Sequence, residues 1–317
     1  MKKQLITIMV PAYNEEEVLN SFYESTTRVI NKIDKYDFEL LFIDDGSRDK
    51  TLEIIKTLRE SDHRISYVSL SRNYGKEIAM VAGFDNLKGE AVVIIDADLQ
   101  DPPELINQFI EKWEEGYDDI YAQRLSREGE TWVKRITSNY YYRVQSRMSS
   151  IGVLKDTGDF RLLGSKALAS IRQLRESERY TKGLFSLIGH KKYGIKFHRE
   201  PRFAGKSKWN YFKLIKLAIQ GITSFSTAPL KMTTIIGFIF ALIAFIYMII
   251  IVLKTILFGD PVQGYPSLVS IVLFLGGIQM ISLGIIGEYL GKIFMETKGR
   301  PLYFIQEHES GFNNRKT

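Results

Sequence analysis

The chain has 317 residues, 45% of them hydrophobic, and a formal net charge of +6. It contains no cysteine, which excludes disulfides and thiolate metal sites within this sequence and is typical of a domain that faces the cytosol. The basic balance would suit nucleic acid, acidic lipid or anionic substrates, but zinc-finger spacing and aromatic-basic RNA-binding signatures are absent from the sequence, so we expect no nucleic-acid partner.

The first 120 residues alternate short apolar runs with helical patterns. Strands are predicted at Leu5–Val10, Phe38–Ile43, Ile65–Leu70 and Ala91–Ile95, and helices at Glu15–Lys32, Asp49–Glu60, Gly75–Asn86 and Pro102–Glu115. This alternation predicts a Rossmann-like α/β fold with a mostly parallel sheet covered on both faces. Ligands of such sheets bind beyond the carboxyl ends of the strands.

Three polar motifs lie at those predicted strand ends: Val10–Glu16, Phe42–Ser47 and Asp96–Pro103. Asp96 and Asp98 follow an apolar strand directly, so both carboxylates can reach one pocket and offer the oxygen ligands that a divalent cation prefers. Taken alone, an acidic pair more often caps a helix or lies in a solvated loop. In the same way, Asp44-Asp45 can be a turn, and Tyr13 can stack on a base or merely cover the end of the sheet.

The last third of the chain carries membrane signals. Residues 205–230 include an amphipathic pattern suited to a membrane interface, although a core-packing helix gives the same pattern. Uncharged stretches at about 232–253 and 265–287 are each long enough to span about 30 Å of hydrocarbon, which makes two buried core helices the weaker reading. Lysines and arginines flank this hairpin on both sides, so the large domain and both termini are predicted to be cytoplasmic, in a multi-pass protein of the cell membrane.

Taken together, these motifs resemble those of glycosyltransferase family 2, which has the GT-A fold. Arg72–Lys76, Gly158–Leu162, Arg179–Gly183 and Gly205–Trp209 follow in the same order as in the bacterial polyprenyl-phosphate glycosyltransferases, and dolichol-phosphate mannose synthase is similar but more distant. We therefore predict a catalytic domain at 1–204, juxtamembrane helices at 205–230, two transmembrane helices within 231–290 and a cytoplasmic tail at 291–317. The resemblance covers nearly the whole chain, up to about residue 300.

The resemblance also implies the ligands and the roles of single residues. A Mg²⁺ or Mn²⁺ ion would be held by Asp96, Asp98 and Gln100. The nucleotide-sugar, which we expect to be a UDP-sugar, would contact Pro11, Ala12, Tyr13, Asn14, Glu15, Asp44, Asp45, Lys76, Asp96 and Ala97. Asp98 and Asp159 would be catalytic, with Asp159 orienting the acceptor or acting as a weak base.

The expected acceptor is polyprenyl phosphate, and an anionic phosphate calls for arginines and lysines. The candidates are Arg124, Arg135, Arg161, Arg202 and Lys208, each of which could instead be an ordinary surface cation. The expected reaction inverts the anomeric carbon and moves glucose or N-acetylglucosamine. GDP-mannose as donor, a catalytically inactive nucleotide-binding regulator and a homo-oligomeric assembly stay open. A processive synthase is disfavoured, because the sequence lacks a Gln-x-x-Arg-Trp motif and has too few spans.

Overall fold

The computed structural model describes residues 3–125, 157–177, 179–197, 228–258 and 264–312. Within these ranges the core is one eight-stranded sheet with the strand order β7-β5-β6-β4-β1-β2-β3-β8. The strands are β1 (Leu5–Ala12), β2 (Asp37–Asp44), β3 (Ile65–Leu70), β4 (Ala91–Ile94), β5 (Asp119–Arg124), β6 (Thr157–Leu163), β7 (Lys192–Phe197) and β8 (Ile305–Glu309). β1 to β4 are parallel to one another, as predicted, whereas β6 and β8 run antiparallel to their neighbours.

Helices cover both faces of this sheet. They are α1 (Leu19–Ile30), α2 (Thr51–Ser61), α3 (Lys76–Asn86), α4 (Leu105–Glu114), α5 (Ser165–Gln173) and α6 (Thr181–Leu187). Two further helices, α7 (Ala228–Phe258) and α8 (Tyr265–Thr297), form an apolar hairpin. The first four agree with the predicted helices to within a few residues. α1 begins later than predicted, at Leu19, because the acidic residues before it belong to the loop that follows β1.

The alternation of side chains along β1 explains the two-sided core. Ile8 and Val10 belong to one buried cluster with Phe22 and Phe42, and Met9 belongs to a second cluster on the opposite face. Successive residues of a strand point to opposite faces, so a strand covered on both sides reads as a continuous apolar run. Helix α3 packs so closely on the second face that a Cβ at Gly83 would collide with the Met9 side chain.

Helices α7 and α8 contain the two predicted membrane segments. α7 has 31 residues and α8 has 33, and large apolar side chains on both are exposed, including Phe238 at 70% and Ile256 at 74%. Within α8, Phe274–Thr297 is long and apolar enough to cross a membrane, with a mean hydropathy of 1.3. The Phe240 ring of α7 packs edge-on against the Phe274 ring of α8, with the ring centroids 5.4 Å apart. The predicted interfacial helix lies outside the described residues except for 228–230, which begin α7.

The structure differs from the prediction at the carboxyl-terminal tail. α8 continues to Thr297, so the predicted start of the tail at residue 291 falls inside this helix. The following chain is also not separate from the catalytic domain, because β8 pairs antiparallel with β3 and completes the edge of the sheet. Local sequence gives no indication of this pairing, since Ile305–Glu309 is a short and mostly polar strand.

Candidate active site

The loops that follow β1 and β2 are held together by hydrogen bonds. The backbone N–H of Asn14 donates to Ser47 Oγ at 3.0 Å, and the Asn14 side-chain oxygen accepts from the N–H of Arg48 at 2.9 Å. Asn14 adopts a left-handed backbone with φ of 55°, which asparagine tolerates better than most residues. The N–H of Glu15 donates to Thr51 Oγ1 at 2.8 Å. The predicted nucleotide-binding residues of the first motif therefore form one unit with the second.

The carboxylates of Asp44 and Asp45 are buried and already accept hydrogen bonds from the protein. Asp44 accepts from the N–H of Ser47 and from the hydroxyl of Ser69, at 3.0 and 2.8 Å. Asp45 accepts from the backbone N–H groups of Tyr74 and Gly75 at 2.7 and 2.8 Å. Burial raises the pKa of Asp45, although these two N–H donors oppose the rise. Both residues thus order the loops that follow β2 and β3, and the contact of one of them with the nucleotide stays a prediction.

Three charged side chains from distant parts of the sequence meet beyond the end of β4. Lys76 Nζ lies 2.6 Å from Asp96 Oδ1 and 2.6 Å from Asp159 Oδ2. The antiparallel pairing of β4 with β6 explains the meeting. Ile94 is opposite Arg161, so continuing this register by two residues brings Asp96 opposite Asp159. Lys76 comes from the first turn of α3.

The charges in this cluster stabilise one another. Burial disfavours the ammonium of Lys76, but the two carboxylates outweigh it and raise the lysine pKa. Burial likewise works against the charged form of Asp159, yet Lys76, Lys182 and Arg161 hold the pKa of its carboxyl well below its usual range. Asp159 is therefore ionised at neutral pH. Its Oδ1 atom is buried and has no hydrogen-bond partner within the described ranges, which leaves capacity for a ligand.

The acidic motif after β4 supplies oxygen donors of the kind a divalent cation uses. Leu99 takes a left-handed backbone with φ of 56°, and this turn lets the N–H of Gln100 donate to Asp98 Oδ1 at 3.2 Å. Groups of three or more histidine, cysteine or acidic side chains placed to hold a metal are not found in the described part of the chain. Two carboxylates and one amide fit Mg²⁺ or Mn²⁺ if phosphate oxygens and waters complete the shell, as is usual for Mg²⁺.

A further carboxylate, which the sequence motifs did not single out, lies beside the charged cluster. Glu77 lies next to Lys76 in the first turn of α3 and accepts hydrogen bonds from both the backbone N–H, at 2.9 Å, and the hydroxyl of Thr181. Thr181 begins α6, so Glu77 caps that helix from outside. The charge of Lys182, the next residue, acts on both Glu77 and Asp159. The adjacent Gly-Lys-Glu sequence and the Arg179–Gly183 motif were the available signals.

Glu77 gives the protein a predicted pH dependence of stability. Burial, assisted by the charge of Asp159, raises the pKa of Glu77 from 4.5 to about 7. Folding therefore takes up a proton between these values, so this contribution to stability is complete below pH 4.5 and declines as the pH rises to 7. Relative to Glu77→Gln, the wild type should lose on the order of 1 kcal/mol per pH unit across that window. Melting temperatures of both proteins from pH 4.5 to 8 measure this, and parallel curves would contradict it.

The predicted acceptor-phosphate cations occupy different environments. The Arg161 guanidinium is buried, pairs with Asp119 at 3.1 Å and stacks on the Phe185 ring at 3.7 Å, which favours a structural role over contact with a phosphate. Arg124, at the end of β5, lies against Gly158, where a Cβ would be 3.1 Å from Nη2. Gly158 precedes Asp159, so Arg124 lies beside the part of β6 that carries this carboxylate. Arg135, Arg202 and Lys208 lie outside the described residues.

The Arg161–Asp119 pair predicts a large loss of stability on mutation. Both side chains are almost fully buried, at 2% and 0% exposure. Asp119→Ala would leave a buried guanidinium without its anion, which costs about 3–5 kcal/mol. Lys35→Met removes the exposed Lys35–Glu114 pair instead and should cost about 1 kcal/mol or less. Thermal or denaturant unfolding of the two variants measures the difference, and similar losses would show that the buried pair has no special importance.

These features define a class of protein. A mostly parallel sheet with acidic loops at its carboxyl edge is the Rossmann-like architecture of the GT-A fold, and an apolar helical hairpin follows it. Residues 7–172 match Glycosyl transferase family 2, and residues 228–293 match the GtrB C-terminal hairpin. The chain belongs to glycosyltransferase family 2, which confirms the resemblance seen in its motifs.

Relatives of nearly full length agree with this assignment. The chain is 48% identical over 302 residues to an uncharacterized glycosyltransferase of Synechocystis sp., covering 95% of both chains. It is 43% identical to the bactoprenol glucosyl transferase of Shigella phage SfX, covering 96% of this chain and 99% of that protein. A prophage bactoprenol glucosyl transferase homolog of Escherichia coli is 44% identical, covering 95% and 98%. This chain is therefore a glycosyltransferase similar to enzymes named for a polyprenyl acceptor.

Proposed function

We propose that this enzyme moves glucose from UDP-glucose to the phosphate of a polyprenyl lipid, with inversion at the anomeric carbon. The observation that carries the proposal is the Lys76 ammonium held between Asp96 and Asp159, at the sheet edge where GT-A ligands bind. Fixed charges at such a site are suited to a reaction that joins two anionic substrates. The names of the phage and prophage relatives support glucose over N-acetylglucosamine or mannose.

On the donor side, Asp96, Asp98 and Gln100 are the residues that would hold Mg²⁺ or Mn²⁺. When bound, such an ion neutralises the charge that develops on a departing diphosphate. The end of β1 and the loop after it would form one wall of the nucleotide site, through Pro11, Ala12, Tyr13, Asn14 and Glu15. Asp45, at the end of β2, would hold the Tyr74–Gly75 segment, which follows β3, beside that wall. Lys76 contacts Asp96 directly and so orients one of the proposed metal ligands.

The acceptor requires little acid–base help from the protein. A phosphate monoester has a second pKa of about 6, so it arrives largely ionised at neutral pH. Its oxygen forms the new bond to the anomeric carbon while the bond from that carbon to the UDP oxygen breaks, and UDP leaves with the electron pair. No proton has to be removed. Because the pKa of Asp159 is held low, we propose that Asp159 positions Lys76 and the acceptor and does not serve as a base.

The membrane proposal rests on the hairpin and on the strand that follows it. α7 and α8 form an apolar pair, and β8 joins the catalytic sheet soon after α8 ends. This arrangement supports a topology in which the catalytic domain and the end of the hairpin share one side of the membrane. The cluster of basic residues before and after the hairpin supports the cytoplasmic side. An active site at headgroup depth would reach a lipid phosphate without extracting it.

The test is a transfer assay with purified protein. The reactions contain undecaprenyl phosphate in lipid nanodiscs, Mg²⁺ or Mn²⁺, and labelled UDP-glucose, UDP-N-acetylglucosamine or GDP-mannose. We expect a lipid-linked glucose from UDP-glucose, with the anomeric configuration opposite to that of the donor by NMR. A preference for another donor would overturn the choice of sugar. Release of free sugar with no lipid product from any donor would overturn the proposed acceptor.

A further inference from the structure

The chain returns from the hairpin to the edge of the sheet that carries the candidate site. β8 is antiparallel to β3, and its first residue, Ile305, pairs with Leu70 at the carboxyl end of β3. The carboxyl ends of β1, β2 and β4 carry the acidic and nucleotide-binding motifs on this same edge. The chain from the end of α8 therefore arrives beside the site and then runs away from it along β3.

The connection between α8 and β8 is short and fixed at several points. Eight residue steps separate Thr297 from Ile305, so the end of the helix lies within about 28 Å of the site edge. Gly299 takes a left-handed backbone with φ of 55° directly after the helix and redirects the chain. The Glu296 carboxylate accepts from the N–H of Ser177 at 2.7 Å, and Tyr303 Oη donates to Asp85 at 2.8 Å.

A further hydrogen bond of this connection leads toward the charged cluster. The carbonyl of Phe304 accepts from the N–H of Ser71 at 2.9 Å, at the start of the loop 71–75. Asp45 holds the other end of this loop through the N–H groups of Tyr74 and Gly75. Gly75 is the residue before α3, and the next residue is Lys76, which bridges Asp96 and Asp159. A displacement of residues 303–305 would thus act on the loop that precedes the bridging lysine.

Beyond this point β8 is fastened to the catalytic domain along its length. Glu307 pairs with Lys56 at 2.5 Å, and Glu309 lies 3.6 Å from Arg59. The N–H of Gly311 donates to Ser66 Oγ at 3.0 Å, and this glycine lies so close to the His63 carbonyl that a Cβ would collide with it. The segment is therefore anchored at one end in the catalytic sheet and at the other in α8.

We infer that residues 296–309, the return segment, act as a strut that sets the position of the active-site edge relative to the bilayer. The inference rests on the proposed function, because a fixed depth matters only if the acceptor is embedded in lipid. The strut is required for transfer to an embedded polyprenyl phosphate and not for donor binding. Within it, Tyr303 and Phe304 are positioning residues, since they act through Asp85 and through the loop 71–75.

The test changes the connection between α8 and β8 and leaves the pairing of β8 with β3 intact. Eight Gly/Ser residues inserted between Gly299 and Arg300 keep α8 and β8 intact but loosen the link by about 16 Å. The matched control places the same insert after Phe312, three residues beyond the end of β8. Because the chain has no cysteine, nitroxide labels at Gln108→Cys and Met295→Cys report the distance between catalytic domain and hairpin in nanodiscs. Donor binding and transfer are measured on the same proteins.

We expect a broader label-to-label distance distribution with the insert at 299, and the wild-type distribution with the control insert. Transfer to embedded undecaprenyl phosphate should fall about tenfold or more, because ångström-scale misplacement of reacting groups is costly. UDP-glucose affinity and transfer to a short, water-soluble isoprenyl phosphate should stay within about twofold, since the reacting groups themselves are unchanged.

An unchanged distance distribution overturns the strut whatever the activity, and so does a broadened distribution with normal transfer to embedded lipid. If the wild type glucosylates no lipid phosphate at all, the proposed function fails, and the requirement for the strut in lipid transfer fails with it. The distance measurement then still reports whether the segment holds the two parts together. The two failures are therefore distinguishable.

Discussion

Asp159→Asn is expected to lower the turnover number for transfer about 10²- to 10³-fold while leaving the fold intact, as loss of one preorganised electrostatic contact typically does. The carboxylate holds the Lys76 ammonium at 2.6 Å, and its partner on the other side is Asp96. Without the negative charge, the lysine is drawn fully to Asp96 and competes for the oxygens proposed to bind the metal. Steady-state kinetics with saturating donor and acceptor measure the effect.

The matched control for this substitution is Asp34→Asn, the same chemical change at an exposed position remote from the motifs. It should leave turnover within about twofold, as surface changes away from special features usually do. A companion variant, Lys76→Met, tests whether the two residues act as a unit. In that case the double variant is about as impaired as the worse single variant, because effects within one network are not additive. Full turnover by Asp159→Asn would refute the electrostatic role of this residue.

Removal of the divalent ion, or of one of its proposed ligands, is expected to have the second large effect. Excess EDTA should abolish transfer, and Mg²⁺ or Mn²⁺ should restore it. Asp98→Asn should lower turnover by about 10²- to 10³-fold at saturating metal, since a neutral amide binds a hard cation poorly and the developing charge on the diphosphate loses its counterion. Asp98 is the better choice than Asp96, because loss of Asp96 also removes a partner of Lys76.

The dependence of rate on metal concentration gives a second readout for this prediction. Asp98→Asn should need a higher concentration of Mg²⁺ or Mn²⁺ for half-maximal activity, whereas Asp34→Asn should follow the wild-type curve. Calorimetric titration of UDP with and without metal separates binding from chemistry. Undiminished transfer in EDTA would exclude the metal, and an unchanged metal dependence in Asp98→Asn would remove this residue from the ligand set.

The sequence by itself determined the central sheet, the position of the acidic motifs and the apolar hairpin. Buried parallel strands such as β1 and β4 appear as unbroken apolar runs, and the glycines, prolines and acids that end them are local signals. Parallel strands end at the same edge of a sheet, so the placement of Asn14, Asp45 and Asp96 at one edge followed from the predicted strands. Helices of this length and apolarity can likewise be recognised without tertiary information.

Only the tertiary structure decided which charged residues meet and which are buried. The antiparallel register of β4 and β6 brings Asp159 to Lys76 and Asp96, and the pairing of β5 with β6 buries Arg161 against Asp119. The first residue of α6, Thr181, meets Glu77 in the first turn of α3. The return of β8 to β3 is a contact of the same kind. These contacts join residues far apart in the chain, and strand register and packing fix them, whereas local periodicity encodes only the strands and helices that take part.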